Sequence, residues 1–462
     1  MRRSFLLAVG VTLAGCAQIP EYQQPEAPIP DHWSQTNPSA TPRRAERTGW
    51  RQFFPDPRLQ SLIETALTHN RDLAVAAGRL KEARALHGLA SAERLPNVKA
   101  SATEATQHTP ADLSSSGAQS TSSRYDVGFS LLSFELDFWG RVKALNDAAR
   151  AHYLASEEAW RAFSLSLVAE VANAYFTLLE MEEQSQLALA TLHSREEVRT
   201  MIDRRRGVGL AADLDFLAAD GACQAARVEY DRLQQQRAVA QHALELLAGW
   251  EAEHLPQGRS LADQGVVPDF ATGVASEVLL QRPDVLAAEQ RLLAANANIG
   301  AARAAFLPGI SLTTGLGTAS KELSGLFALG SGSWTFQPSL SLPLFDAGRA
   351  QAGVDLAEAR KIIAVAEYEK TIQQAFREVA DLLAAREHVA EQLRAQEAVV
   401  TSQKQRLRLA DARYQAGLSS YLEVLDAQRD VYTAERSVVQ TRRAWLTAAA
   451  QLYKALGGGL AP

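Results

Sequence analysis

Residues Arg141 to Arg206 read RVKALNDAARAHYLASEEAWRAFSLSLVAEVANAYFTLLEMEEQSQLALATLHSREEVRTMIDRRR. Residues Val354 to Ala416 read VDLAEARKIIAVAEYEKTIQQAFREVADLLAAREHVAEQLRAQEAVVTSQKQRLRLADARYQA, and neither stretch contains a glycine or a proline. If helical throughout, each reaches roughly 100 Å at 1.5 Å per residue, far beyond the usual three turns of a globular helix. Apolar residues recur at three and four: Trp160, Phe163, Leu167, Val171, Ala174 and Leu178 in the first stretch, Ile372, Phe376, Val379 and Leu383 in the second. That spacing predicts a narrow seam between helices, with alanines between the seam residues allowing close approach. Taken alone it suits a filamentous protein equally well.

The two stretches belong to a duplication. Asn70-Arg71-Asp72-Leu73 through Leu95-Pro96-Asn97-Val98 matches Arg282-Pro283-Asp284-Val285 through Leu307-Pro308-Gly309-Ile310 at an offset of 212. Gly140-Arg141 matches Gly348-Arg349, and Gly209-Leu210 matches Gly417-Leu418, both at an offset of 208. Two copies of one supersecondary unit are therefore expected, 58–255 and 282–457, joined by a connector at 256–281 and followed by a short tail at 458–462. Each reads as helix, two short strands, very long helix, turn and return helix.

The amino terminus supplies an address. Arg2 and Arg3 precede the apolar run Phe5 to Ala14, which has the length of a signal-peptide core, so 1–15 is read as a removable leader. The run ends in Leu13-Ala14-Gly15-Cys16, which resembles the lipobox of bacterial lipoproteins and marks Cys16 for acylation with palmitate-type chains. Ala17 follows where an aspartate favours inner-membrane retention, so the outer membrane is the expected destination. Residues 16–57 are proline-rich and read as an extended lead segment. Net charge is −6 without long basic runs, which disfavours nucleic acid as a partner. With two cysteines and scattered histidines, no HExxH, GxSxG, phosphate-loop or dinucleotide fingerprint is present. No catalytic residue, metal site or cofactor is expected, and Cys223 reads as a packing residue.

Strands follow the Leu-Pro pairs. Leu323 to Phe345 is uncharged but broken by glycines and prolines, and Trp334, Phe336, Leu340, Leu342 and Leu344 alternate with Thr335, Gln337, Ser339 and Ser341. Ile310, Leu312 and Leu316 alternate similarly. Tyr125, Val127 and Phe129 keep one phase and Leu132, Phe134 and Leu136 the other, which predicts a bulge near Leu131. Leu113 to Ser123 and Ser320 to Ser333 are expected as outer loops. Four strands per chain cannot close around themselves in lipid, where a lone barrel needs at least about eight. Several protomers must pool their strands, with Phe336, Leu340 and Leu342 meeting lipid.

Trp50-Arg51-Gln52-Phe53-Phe54 with Asp56-Pro57 and Leu59, Arg282-Pro283-Asp284-Val285 with Ala288-Glu289, Ala295-Asn296-Ala297 and Ile299-Gly300, Leu344-Phe345-Asp346-Ala347-Gly348-Arg349, and Arg413-Tyr414-Gln415-Ala416-Gly417 resemble the TolC/OprM family of outer-membrane factors, in its lipid-anchored NodT-type branch. The resemblance covers nearly the whole mature chain. It implies a mainly α protein with a small membrane β part: a homotrimer whose twelve-stranded barrel continues into a periplasmic α-helical tube. It implies a passive exit duct for a tripartite pump, with a periplasmic adaptor (a membrane fusion protein) and an inner-membrane RND-type transporter as partners.

The resemblance also places the tips that face the adaptor at Gly209, Leu210, Gly417 and Leu418. It places a constriction at Leu422, Glu423, Asp426 and Arg429, with Asp215 matching Glu423 in the first copy and Tyr414 tying the tip helices together. The first copy departs from the pattern, with Arg206 opposite Tyr414 and Ala218 opposite Asp426. On local grounds Ser420-Tyr421-Leu422-Glu423 has the form of a capping box, Asp213 that of an N-cap, and Asp426 with Arg429 that of a solvated surface pair. Three readings stand at this point: a trimeric efflux duct, a duct of the same fold for polypeptide secretion, and a lipoprotein coiled-coil spacer.

Overall fold

The computed structural model describes residues 19–33, 49–249, 255–266 and 276–459; the leader and Cys16 lie outside these residues. In the first copy α1 spans Trp50–Phe53, α2 Pro57–His69, α3 Arg71–Ala92, β1 Val98–Thr109, β2 Ser120–Glu135, α4 Arg141–Gly207 and α5 Asp213–Ala248. In the second, α6 spans Pro283–Ala304, β3 Gly309–Ser320, β4 Gly332–Ser341, α7 Arg349–Gln415 and α8 Tyr421–Ala455. The glycine- and proline-free stretches are continuous helices, α4 and α7, of 67 residues each. Helix α7 starts earlier than breaker spacing suggests and runs through Gly353. Its start is set instead by Asp346, whose carboxylate accepts the backbone N–H of Gly348 and Ala350 at 2.9 and 2.8 Å. The single opening helix expected in the first copy is divided, because Asp56 caps α2 ahead of Pro57 and Asn70 accepts the N–H of Leu73 at 2.9 Å to begin α3.

The strands form one antiparallel sheet in the order β1-β2-β3-β4. They are longer than expected, at 12, 16, 12 and 10 residues. The apolar phase change in β2 is a bulge: Leu131 pairs with Thr314 and Phe134 with Leu312, three steps against two. Ser133 takes the extra place with φ of 51° and donates its N–H to the Thr313 hydroxyl at 3.1 Å. The outer loops are correspondingly shorter than the serine-rich runs, since β2 begins at Ser120 and β3 runs to Ser320.

The described residues divide into two compact units. One contains the residues up to Glu26 with Arg79–Glu157 and Ala287–Tyr368, hence the whole sheet; the other contains the rest. In the sheet-bearing unit, the lead segment runs along α6. Pro20 accepts from the Asn296 side chain at 2.8 Å and Tyr22 donates to Glu289 at 3.1 Å.

In the second unit the expected narrow seam widens. Between Leu165 and Glu180 helix α4 is buried on most of its circumference, Val168, Val171, Tyr175 and Phe176 being almost completely enclosed. Phe53 stacks on Tyr453 at a ring distance of 4.6 Å, Phe54 meets it edge-on at 5.9 Å, and Trp33 stacks on Phe376 at 5.2 Å. Gly458 is required beside Tyr453, where an added Cβ would sit 2.4 Å from the ring.

Two buried charges tie this unit together. The Asp56 carboxylate accepts from the N–H of Arg58 (2.8 Å), the N–H of Arg259 (3.0 Å), the Tyr175 hydroxyl (2.9 Å) and the Gln264 amide (2.9 Å). The Arg282 guanidinium forks onto Asp284, reaches Glu378 at 3.0 Å and donates to the carbonyl of Ala455 at 2.6 Å. Burial alone pushes the Asp284 carboxyl up; the Arg282 fork outweighs it and holds the group below the usual carboxylate range. We predict that Asp56→Ala, which strips the acceptor from four donors, destabilises the helical unit by at least about 3 kcal/mol. Asp56→Asn, keeping one acceptor, should cost less, and urea melts followed by far-UV circular dichroism would rank the two. Equal stability of Asp56→Ala and the parent would remove Asp56 from this role.

Candidate functional site

The sheet presents two chemically different faces. Registered rows place Phe129, Leu316 and Trp334 side by side, then Leu131, Thr314 and Phe336, then Phe134, Leu312 and Pro338, with Ile310 beside Leu340. These outward rows are exposed although apolar, Phe336 at 62% and Leu340 at 66%. The opposite face carries Lys99, Ser130 and Thr335, then Thr313 with Gln337 and Ser311 with Ser339. Leu342, expected as a strand residue, lies one position past the end of β4, as does the rest of its apolar run, because the pairing with β3 ends at Gly309 and Ser341.

On the polar face Gly128 and Gly317 lie opposite each other, and a Cβ at Gly128 would stand 2.6 Å from the Leu316 carbonyl oxygen. Strands β2 and β3 therefore leave no room for side chains on the polar face at this pair. Strands β1 and β4 are open edges. An exposed apolar face, a polar opposite face and two edges unpaired among the described residues are what a segment of a larger membrane barrel requires.

At the other functional region, within the helical unit, both return turns use the same closure. Leu210 donates to the Arg205 carbonyl at 2.8 Å and Leu418 to the Arg413 carbonyl at 2.9 Å, with Gly209 and Gly417 at φ of 77° and 75°. Only glycine takes that left-handed conformation without a steric cost. Leu210 and Leu418 project from the turns, 78% and 72% exposed. Behind them Ile202, Ala219, Ala410, Tyr421, Val424 and Ala427 form one core joining α4, α5, α7 and α8, against which Phe216 and Tyr414 pack. Tyr414 lies 5.4 Å from Tyr421 and accepts from Arg205 at 3.5 Å. In the first copy Arg206 occupies the Tyr414 place and stacks over Phe216 at 3.9 Å, replacing an aromatic contact with a cation over a ring. Burial pushes the Tyr421 phenol up to about 12.

Helix α8 turns Tyr421, Val424 and Ala427 into this core, which leaves Leu422, Glu423, Asp426 and Arg429 on its other side. Asp426 and Arg429 are 3.5 Å apart, and Arg429 is equally close to Asp430, which also binds Arg406. Neither local capping motif forms. Ser420 occupies the N-cap of α8 without a side-chain cap bond, and Asp213 is the first residue of α5, after an Ala212 N-cap. Asp215 is half-buried in the first turn of α5. Sequence reasoning missed Asp430, Arg406 and the exposed Leu214 and Leu217; the 208 offset that maps Leu214 onto Leu422 is the signal that finds the leucine. Cys223 is buried beside Leu192 and Ala226.

The model of the outer membrane efflux protein family matches residues 62–250 and 274–458. The outer membrane protein OprJ of Pseudomonas aeruginosa is 44% identical over 455 residues, covering 98% of this chain and 95% of that protein. The toluene efflux pump outer membrane protein TtgC of Pseudomonas putida is 44% identical over 466 residues, with 98% and 95% covered. The structure of the open state of the Neisseria gonorrhoeae MtrE outer membrane channel superposes with a TM-score of 0.87 at 38% identity, over 96% of this chain and 99% of that one. The two-faced sheet, the duplicated long helices and these likenesses agree, and the chain belongs to the outer membrane efflux protein family.

Proposed function

We propose that this chain is the outer-membrane exit duct of a tripartite efflux pump and conducts substrates passively. The carrying observation is the open sheet: among the described residues β1 and β4 have no partner on their outer edges, one face is apolar and exposed, and the other is polar. Three copies placed β4 to β1 give a closed twelve-stranded antiparallel barrel with a polar lumen. The helices α4, α5, α7 and α8 stand in the periplasm. Gly209, Leu210, Gly417 and Leu418 meet a periplasmic adaptor, which links the duct to an inner-membrane transporter. The name of TtgC, a toluene efflux pump protein, supports a small-molecule pump over a polypeptide secretion system. Acylation at Cys16, upstream of the docked segment at Ile19 and Pro20, adds a second anchor to the barrel.

Leu422, Glu423, Asp426 and Arg429, with Asp215, form the periplasmic constriction in this reading, and Tyr414 braces it. The Asp426–Arg429 pair is half-exposed and shared with Asp430, so it biases the closed state without locking it. Purified protein should run as a trimer and open channels in a planar bilayer. Asp426→Ala with Arg429→Ala should raise single-channel conductance. A monomer without channel activity would refute the duct, and unchanged conductance in an intact double-variant trimer would refute the constriction.

Lysine at Phe336 or Leu340 should cost on the order of 2–4 kcal/mol of barrel stability if the site is near mid-depth, whereas lysine at Gln337 or Ser339 should chiefly change ion selectivity. Heat-modifiability on gels and reversal potentials separate the two, and equal tolerance on both faces would contradict the assignment. Cys16→Ala, exported through a workable signal, should lose its acyl mass yet fractionate with the outer membrane, because one anchor remains. Recovery in the soluble periplasmic fraction would count against the barrel.

A further inference from the structure

A cleft of about 440 Å³ opens where β2 runs into α4, within the sheet-bearing unit. Phe134, Leu136 and Phe138 supply its apolar wall, and Arg94 and Lys143 stand at it as exposed cations. Phe134 belongs to the outward apolar rows of the sheet, so the cleft continues the lipid-facing surface at its lower border. Two carboxylates also line the cleft, and both are already committed. Glu135 is forked by Arg141 at 2.8 and 2.5 Å, with Glu93 adding a further negative charge near the same guanidinium. Asp137 caps α4, accepting the N–H of Val142 at 3.0 Å and of Lys143 at 2.8 Å. Arg94 and Lys143 are left without a side-chain hydrogen bond or ion pair among the described residues.

The duplication sharpens the point. At the matching positions of the second copy stand Phe306, in place of Arg94, and Gln351, in place of Lys143. Of the nearby cations of that copy, Arg303 is paired with Glu358 at 3.1 Å and Arg349 alone has no side-chain partner among the described residues. A pair of free cations beside an apolar wall thus occurs at one end of the sheet in the first copy, against a single one, Arg349, at its counterpart. That combination matches a molecule with a phosphodiester next to acyl chains.

We propose that this cleft binds the headgroup of an anionic glycerophospholipid from the inner leaflet, one per protomer, with the phosphate at Arg94 and Lys143 and the acyl chains along Phe138 and the sheet. The inference rests on the duct reading, which sets the outward rows in lipid. Basic side chains near a membrane surface contribute about 1 kcal/mol each, or about fivefold in retention per cation.

The test is native mass spectrometry of the full-length protein released from detergent after incubation with phosphatidylglycerol, phosphatidylcholine or inorganic phosphate. Phosphatidylglycerol adducts should appear at about one per protomer, exceed those of phosphatidylcholine, and fall about fivefold in Arg94→Gln and further in Arg94→Gln with Lys143→Gln. Retention of phosphate alone would recast the cleft as an anion site and overturn the lipid assignment, as would equal retention by parent and double variant. Bilayer conductance of the same samples keeps the two ideas apart. Parent protein that forms channels but shows no preference for phosphatidylglycerol sinks only the lipid site, whereas parent protein that forms no channels sinks the duct.

Discussion

Backbone amides and carbonyls along the free edges of β1 and β4 are the groups this structure must satisfy before anything else. In water such edges are tolerated; in hydrocarbon each unpaired group costs several kcal/mol, and an open edge is not viable. The sheet order within one chain leaves both edges unpaired, and the apolar outward rows exclude water as the remedy. Pairing between copies answers both requirements together. The Gly128–Gly317 approach belongs to the same constraint, because a sheet that must close needs curvature, and side chains on the inner face at that point would oppose it.

The helical unit solves a different problem, holding four long helices together beyond the one compact core around Phe53, Tyr175 and Tyr453. It does so with alanine-rich contacts and with a small number of buried polar hubs. Asp56 gathers donors from α2, α4 and the connector, while Arg282 joins the start of α6 to α7 and the end of α8. The most recognisable motifs of the sequence, Trp50 to Pro57 and Arg282 to Val285, are therefore structural. Among the residues facing away from the tip core, Asp426 and Arg429 sit in weak, shared and solvent-exposed interactions.

Much of this was legible in the residues themselves. The lack of helix breakers located α4 and α7, alternation located β3 and β4, and the phase change in β2 located its bulge, since each depends on local periodicity. What was not legible depends on partners brought from far along the chain. Nothing near Asp56 announces Tyr175, Arg259 or Gln264, and the division of the first helix follows from Asp56 and Asn70 acting as caps. Ser420 and Glu423 have the spacing of a capping box without its bonds. Leu342 continues an alternating pattern past the point where β3 ends, because alternation in one strand carries no information about the length of its neighbour. Leu214 and Leu217 stand opposite Leu422 and Leu425 at the 208 offset, a match that appears only across the duplication and not in the local sequence.

The Asp56 hub also sets a timetable. Its partners lie 119, 203 and 208 residues downstream, and those of Arg282 reach another 173. A chain emerging amino-terminus first lacks the full set of donors for Asp56 until the connector has arrived, more than 200 residues later. Contacts of such long separation are slow to form, and the intermediate that awaits them exposes apolar surface. Until those partners arrive the incomplete chain is exposed to aggregation, so its yield depends on that interval as well as on the stability of the completed fold.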